Sequence, residues 1–478
     1  MVRLIALACA LVVIGGAAFA ADGPLAWRQF RGPNGSGVAD DQKPPVEVGP
    51  ETNVKWKVPV PSGLSSPIVA GDKLVLTAFE NDKLYTIAYD RATGKEAWRA
   101  QAPAKTIEPY YKDEGSPAAS TAATDGQRIV AYFGSCGLVC YDLAGKELWQ
   151  YEIPTLGLAG DFGTGTSPIL ADGKAIVVRD EMKNSRIVAV DAASGKPAWE
   201  TKRRSVSSYC TPVIWDAPGG KQVVAAGHAQ MVGYDLASGQ EKWIYNGLPS
   251  GCCSSPVVAG GTLYFAGWSP GGPDSEFQMP AFDAILKDGD TDKDAKISRV
   301  EADKTMLKNF FDSNDQNKDN FVTKDEWDAL LKFMTEGKNS AFALKAGGTG
   351  DISESSVLWK QTKGMPYLAS AILYGGQYVM VKDGGIVTAL DATSGKQLYS
   401  ERAIASGSYY ASPVGAGGNI YFVSLADGAI TVLKAGAKKP EVVVQNPPLG
   451  ERVAATPAIA DNTLYVRGDK HLYAFAEK

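Results

Sequence analysis

Short apolar runs recur along the chain, and several of them end in the same polar turn. Ile187-Val188-Ala189-Val190 leads into Asp191-Ala192-Ala193-Ser194-Gly195-Lys196-Pro197-Ala198-Trp199. Asp90 to Trp98 and Asp235 to Trp243 repeat that frame. A fourth copy runs from Asp391 to Tyr399, with tyrosine in the Trp place, and Asp142 to Trp149 is one residue shorter. The pattern is that of a tight hairpin. The Asp carboxylate accepts hydrogen bonds from backbone N–H groups in the turn, and Gly takes the position with φ > 0. The Trp opens the next strand, where its indole can be buried between neighbouring sheets. Copies at related spacing make a repeat protein, and a repeat decides the fold before any other signal.

A second signal opens each unit: a Ser/Thr-Pro pair leading into an apolar strand. It stands at Ser66-Pro67, Ser167-Pro168, Thr211-Pro212, Ser255-Pro256, Ser412-Pro413 and Thr456-Pro457, with Ser370-Ala371 and Thr121-Ala122 filling the remaining places. After each comes a turn and a second strand, such as Lys73-Leu74-Val75-Leu76. The third strand ends in the Asp motif and the fourth begins near its Trp. Four short antiparallel strands per unit, repeated mostly every 42–55 residues or so, predict propeller blades. The fold class is therefore all-β, an eight-bladed β-propeller of four-stranded antiparallel blades with a small α-helical insertion. The propeller occupies residues 51–268 and 340–478. The last unit holds three strands, and the strand around Trp56 is expected to supply its fourth, removing the edges of an open ring. Residues 21–50 read as an N-terminal extension pinned by its aromatics, Trp27 and Phe30. Its glycines lack the Lys-Ser/Thr ending of a phosphate loop.

Composition narrows this picture. The 478 residues are 45% hydrophobic and contain 52 Gly and 27 Pro, which suits many short strands and turns. A formal charge of −5 without a basic cluster argues against nucleic acid, and two histidines leave little for His-based metal or triad chemistry. Residues 1–20 read as a signal peptide: Arg3, an apolar core and Ala18-Phe19-Ala20, with cleavage near Ala20. The mature chain, with no further transmembrane segment, is expected in the periplasm or outside the cell. It keeps Cys136, Cys140, Cys210, Cys252 and Cys253, an odd number that leaves at least one thiol without an intramolecular partner.

The repeat Asp-x-x-Ser/Thr-Gly-x-x-x-Trp after an apolar strand resembles that of quinoprotein (PQQ-type) β-propellers. That family includes PQQ-dependent alcohol dehydrogenases and the outer-membrane assembly lipoprotein BamB. The resemblance implies the fold and leaves function open, because enzymes and scaffolds both carry the repeat. It makes PQQ a cofactor to consider. Those enzymes carry a ring of two adjacent, disulfide-bonded cysteines beside the cofactor, so Cys252 and Cys253 are the candidate cofactor contacts. Here the pair opens the fifth unit rather than lying early in the propeller. The enzymes' calcium ligands, catalytic Asp and stacking Trp match no motif in this chain, so no catalytic residue follows. The alternative is two small buried residues at the start of a strand.

The fifth unit breaks after Trp268 and resumes near Ala341, leaving residues 269–339 inside one hairpin loop, long enough to need structure of its own. Residues 315–326 resemble a twelve-residue EF-hand loop. Asp315, Asn317 and Asp319 stand at loop positions 1, 3 and 5, the Phe321 carbonyl at 7, Thr323 at 9 and Glu326 at 12. A second loop places Asp290, Asp292, Asp294, the Lys296 carbonyl, Ser298 and Glu301 at the same positions. Asn320 replaces Gly at the sharp turn of one loop. Ala295 does so in the other, at a cost of about 1 kcal/mol, which predicts weaker binding there. Helices are expected over 280–287, 299–311 and 324–334. The ligand implied is Ca²⁺.

In an antiparallel blade, the loop between strands two and three shares a face with the segments that open the next blade. The insertion should therefore sit beside 109–114, 203–210, 250–255 and 408–410. Tyr110, Tyr111, Tyr209, Tyr409 and Tyr410 are candidate surface residues there. The role that follows is a calcium-binding interaction or scaffold protein of the cell envelope, with a protein or envelope polymer as partner. The rivals are a PQQ-dependent dehydrogenase and a carbohydrate- or polymer-binding module.

Overall fold

The computed structural model describes residues 27–477 except 113, 159–160, 271–278, 310 and 316. The expected signal peptide and the first residues of the extension lie outside the described residues. Strands form blades in sequence order, each sheet running outward from its first strand. Blade 1 is Ile68–Ala70, Lys73–Glu80, Lys83–Asp90 and Glu96–Gln101. Seven more such sheets follow round the ring, eight in all, so the predicted propeller is the observed fold. The last blade comprises Ala458–Ala460, Thr463–Arg467 and His471–Phe475 and is completed by Val54–Pro59, with Trp56 opposite Ala474. The chain's start thus closes its end, as the three-strand last unit required.

The Ser/Thr-Pro signal has a physical purpose that the sequence did not disclose. Each backbone N–H at these positions donates to the hydroxyl of its counterpart in the next blade. Ser66 donates to Thr121 at 2.9 Å, Thr121 to Ser167 at 3.0 Å, Ser167 to Thr211 at 3.1 Å and Thr211 to Ser255 at 3.0 Å. Ser255 donates to Ser370 at 2.9 Å, Ser370 to Ser412 at 2.9 Å, Ser412 to Thr456 at 3.0 Å and Thr456 back to Ser66 at 3.0 Å. The result is a closed ring of hydrogen bonds round the central channel. It satisfies buried amides that no strand ladder reaches.

The Asp-Gly-Trp motif clasps blades farther out. The Asp191 carboxylate accepts from the Ser194 N–H at 2.8 Å and the Ser194 hydroxyl at 2.7 Å, which fixes the turn. The indole of Trp149, from the preceding blade, lies on that turn and donates to the Ala192 carbonyl at 3.0 Å. Gly195 has φ +69°, and a Cβ there would come within 2.6 Å of the Trp149 ring. Trp56, Trp98, Trp199 and Trp359 make the same bond to the following blade. Trp243 departs from the rule, because the fifth blade has no Asp turn to receive it. Its indole donates instead to the Gln222 side chain at 2.7 Å, and Gly350–Asp351 adds an unexpected parallel fifth strand beside it.

The N-terminal extension closes one end of the channel. Trp27 is fully buried and its carbonyl accepts from the Val69 N–H at 2.7 Å; the Arg28 carbonyl accepts from Thr124 at 2.8 Å. Asn34 pairs with both backbone groups of Ile214, at 2.8 and 2.9 Å, and Arg31 donates to the Ala371 carbonyl at 2.6 Å. Ala39 donates to the Gly415 carbonyl at 2.8 Å. These contacts reach five blades just beyond the hydroxyl ring, so the segment caps the channel there. No helix among the described residues is long and apolar enough to cross a membrane.

Candidate functional site: paired acidic loops above a central cavity

The inserted segment leaves blade 5 after Thr262–Gly267 and returns at Ser340–Lys345, two strands that pair with each other. Its helices are α1 (Phe282–Gly289), α2 (Arg299–Ala302), α3 (Phe311–Asn314) and α4 (Lys324–Thr335). The expected single helix over 299–311 is broken. After α2 the Thr305 hydroxyl turns back to the Ala302 carbonyl at 3.0 Å and accepts from the Leu307 N–H at 3.1 Å, and a separate turn follows at Met306–Asn309. Such side-chain bonds compete with the helical ladder. The two acidic loops lie back to back through a two-stranded ribbon pairing Ile297 with Val322 and Ser298 with Phe321. Phe282, Ile285, Ile297, Leu307, Phe311, Val322 and Trp327 form a separate small core beneath them.

The two loops share one hydrogen-bond pattern. In the first, Asp290 accepts from the Asp294 N–H at 3.2 Å and the Ala295 N–H at 3.1 Å. In the second, Asp315 accepts from Asp319 at 3.0 Å and Asn320 at 2.9 Å. Glu301 accepts from the N–H groups of Ser298 at 2.9 Å and Thr291 at 2.7 Å, bonds that hold its carboxyl down at about 2. Glu326 accepts from the Thr323 N–H at 2.9 Å. The Ser298 and Thr323 hydroxyls each donate to their glutamate at 2.8 Å. Ala295 and Asn320 both turn through the left-handed region, at φ +63° and +69°, so Ala295 does not prevent the turn. Lys296 stands just before the ribbon, its ammonium 5.1 Å from the ring of Phe321. Carboxylate oxygens of Asp290, Asp292 and Asp294 lie within 4.8 Å of one another. An all-oxygen donor set of this kind fits a hard divalent cation. Asp290, Asp292, Asp294 and Glu301 would hold one, and Asp315, Asn317, Asp319 and Glu326 another.

The insertion sits on the face that the strand geometry predicts. Ser250, in the loop opening blade 5, donates to the carbonyls of Phe333 and Glu336, the latter at 2.8 Å. His228, isolated in the sequence, is not isolated in space. Its ring stacks on Phe333 with centroids 4.3 Å apart, and Nε2 lies 3.2 Å from the Glu336 carboxylate. Burial lowers its pKa. At the neck, the Asn339 amide makes both bonds to the Ser269 backbone, at 2.9 and 3.2 Å.

Between the insertion and the propeller lies a cavity of about 590 Å³. Met279, Met306, Leu330 and Phe333 form its roof, Ser66, Thr121 and Ser167 of the hydroxyl ring line it from within, and Phe30 of the extension also reaches it. Of the expected tyrosines, Tyr111, Tyr209 and Tyr410 line it. Tyr110 does not, and Tyr409 is buried against the Ala405 carbonyl. Phe162, Trp268 and Tyr367, which sequence reasoning passed over, complete the wall.

Two buried groups hold the opening loops. Arg203 pairs with Asp180 at 2.6 Å and donates to the Tyr234 hydroxyl at 2.9 Å, anchoring the loop that carries Tyr209. Glu108 accepts from the Thr164 N–H at 2.8 Å and hydroxyl at 3.0 Å. Burial pushes its carboxyl up to about 7. Neither stood out in the sequence, because each partner comes from a distant segment.

All five cysteines described are free thiols. Cys252 points into the core, its thiol 3.1 Å from the Pro249 carbonyl, whereas Cys253 lines the cavity. The two adjacent side chains thus face different surroundings. PQQ is a tricarboxylate. Among the described lining residues the only charged group is Glu114, and no Lys, Arg or His is present. The cavity therefore does not fit an anionic quinone.

The sequence matches the family described as outer membrane protein assembly factor BamB over residues 17–161, 159–271 and 350–477, which leaves out most of the insertion. No curated protein matches. Among solved structures, BamB from Moraxella catarrhalis superposes with a TM-score of 0.56 at 13% identity, covering 89% of this chain and 97% of that one. Quinohemoprotein alcohol dehydrogenase from Comamonas testosteroni gives 0.55 at 14% identity, covering 95% and 81%. A europium-containing methanol dehydrogenase gives 0.52 at 9% identity, covering 95% and 98%. At such identities the structural likeness speaks for the fold alone, shared by an assembly factor and by dehydrogenases. With the family matched over most of its length and every blade accounted for, the chain belongs to the BamB family of PQQ-repeat β-propellers.

Proposed function

We propose that this protein is an exported, calcium-binding propeller that acts as an interaction or scaffold protein of the cell envelope. The observation that carries the reading is the pair of acidic loops, joined through Ile297 and Val322 and docked by Ser250 and His228 over the channel mouth. A cation that orders these loops orders the surface a partner would meet. The partner is a protein or an envelope polymer, in keeping with an assembly factor in the same family. The start of the sequence supports export. The quinoprotein dehydrogenase reading has less support, because the described lining of the cavity offers no cation to a tricarboxylate and Cys252 and Cys253 are free thiols.

The test is calorimetric titration of the mature protein with Ca²⁺, followed by hydrogen exchange with and without EGTA. Calcium should bind, and chelation should raise exchange across residues 280–334 and in the mouth loops 250–255 and 408–410. The blade turns on the other face, such as 192–196, should not respond. Absence of calcium binding, or dye-linked alcohol oxidation on adding PQQ and Ca²⁺, would overturn the reading.

A further inference from the structure

The cavity under the insertion combines three features that bear on what it can hold. The first is aromatic surface. Trp268 and Tyr367 meet edge to face with centroids 5.1 Å apart, and Phe162 makes edge contacts with Tyr111 at 6.2 Å and Tyr209 at 6.5 Å. Rings locked in this way present their negative faces in fixed directions. The second is charge. Glu114 is the single carboxylic acid in the described lining, and no lysine, arginine or histidine accompanies it. Among the described residues no cation stands at ion-pair distance from Glu114. Burial raises the pKa of Tyr367, Tyr410 and Cys253, and the Glu114 charge adds to that effect, while the Arg452 guanidinium, 6.0 Å from the Tyr410 ring, opposes it there. The third is enclosure. The acidic-loop segment covers the space from one side and Phe30 approaches it from the other, while Glu114 stands at the exposed rim.

Aromatic faces around one unneutralised carboxylate attract a positive charge spread over apolar groups. A metal ion would find too few oxygen ligands, and an anion would be repelled. From this combination we infer that the cavity is a binding site for a small organic cation of the alkylammonium or arylalkylammonium class. The volume of about 590 Å³ is within the range of small-molecule sites. The inference goes beyond the calcium-scaffold reading and does not depend on calcium, since Glu114 and the aromatic wall residues lie outside the acidic loops.

The probes are benzyltrimethylammonium and tetramethylammonium chlorides, with neopentyl alcohol as a neutral counterpart and benzoate as an anion. Each is titrated into the full mature protein at constant ionic strength, followed by calorimetry and by the fluorescence of Trp268 and Trp327, which both line the cavity. The ammonium probes should bind, the aromatic one more tightly, with neopentyl alcohol and benzoate at least about tenfold weaker. Glu114→Gln, at an exposed position where folding is not at stake, should weaken ammonium binding about tenfold and leave neopentyl alcohol unaffected. Tyr367→Phe should retain binding and Tyr367→Leu should lose it. Equal binding of the neutral probe and no effect of Glu114→Gln would reduce the site to an apolar hollow and overturn the inference. So would failure of every ammonium probe to bind. Loss of calcium binding without any change in ammonium binding would sink only the calcium reading.

Discussion

Replacing Ser66 by Ala tests whether the hydroxyl ring holds the propeller shut. The Ser66 hydroxyl accepts the Thr456 N–H at 3.0 Å and so joins the last blade to the first. Both residues are buried, at 2% and 3% exposure, so only a water ordered in the cavity that both line can stand in for the lost acceptor. An amide stranded in this way costs about 1–3 kcal/mol. Ser66→Thr restores the oxygen, and threonine already serves at positions 121, 211 and 456 of the ring. Ser120→Ala is the converse control: its buried hydroxyl has no partner among the described residues, so its removal should be neutral or slightly stabilising. The assay is equilibrium urea unfolding with hydrogen exchange of the peptide containing Thr456. Ser66→Ala should lower the unfolding free energy by about 1–3 kcal/mol and speed exchange at Thr456, and Ser66→Thr should stay near the parent. If the Ala and Thr variants are equally stable and Thr456 exchanges as before, the ring is a by-product of close packing and the reasoning fails.

Deleting residues 53–58 should expose the edge of His471–Phe475 and cause aggregation or early melting, seen by light scattering and calorimetry. Unchanged, monomeric behaviour would contradict strand closure. In calcium titrations Glu326→Gln should lose more affinity than Glu301→Gln, because Ala295 strains the first loop at φ +63°. The reverse order would mean that the three clustered aspartates of the first loop outweigh that strain. Burial holds the Glu108 carboxyl at about 7 against an ordinary 4.5, so the folded state keeps a proton that the unfolded chain releases. Its contribution is present below 4.5 and is lost as pH rises through about 7, a change of about 3 kcal/mol. Glu108→Gln should flatten that part of the stability profile, and an unchanged slope in urea titrations across this range would refute the assignment.

The sequence by itself determined the blades. Strand length, the Asp turn with its Gly at φ > 0, and the Trp that follows are local features, set by residues a few positions apart. Counting them also closed the ring, because a unit of three strands and one spare strand at Trp56 allow one solution. The acidic spacing of the two loops was legible for the same reason, since each set lies within twelve consecutive residues. Tertiary structure decided everything that depends on partners far apart in the chain. Ser66 and Thr456 are 390 residues apart, and nothing local says that one hydroxyl serves the other's amide. The helix expected over 299–311 broke because the Thr305 side chain took up backbone groups that periodicity alone assigns to a ladder. Trp243 had the right motif but no Asp turn in the next blade to receive it, and so turned to Gln222. His228 read as an isolated residue until Phe333 came to lie on it. The cavity is the extreme case. Phe30, Tyr111, Phe162, Tyr209, Trp268 and Tyr367 are scattered through the sequence, and they meet because the ring brings every blade's opening loop to one mouth.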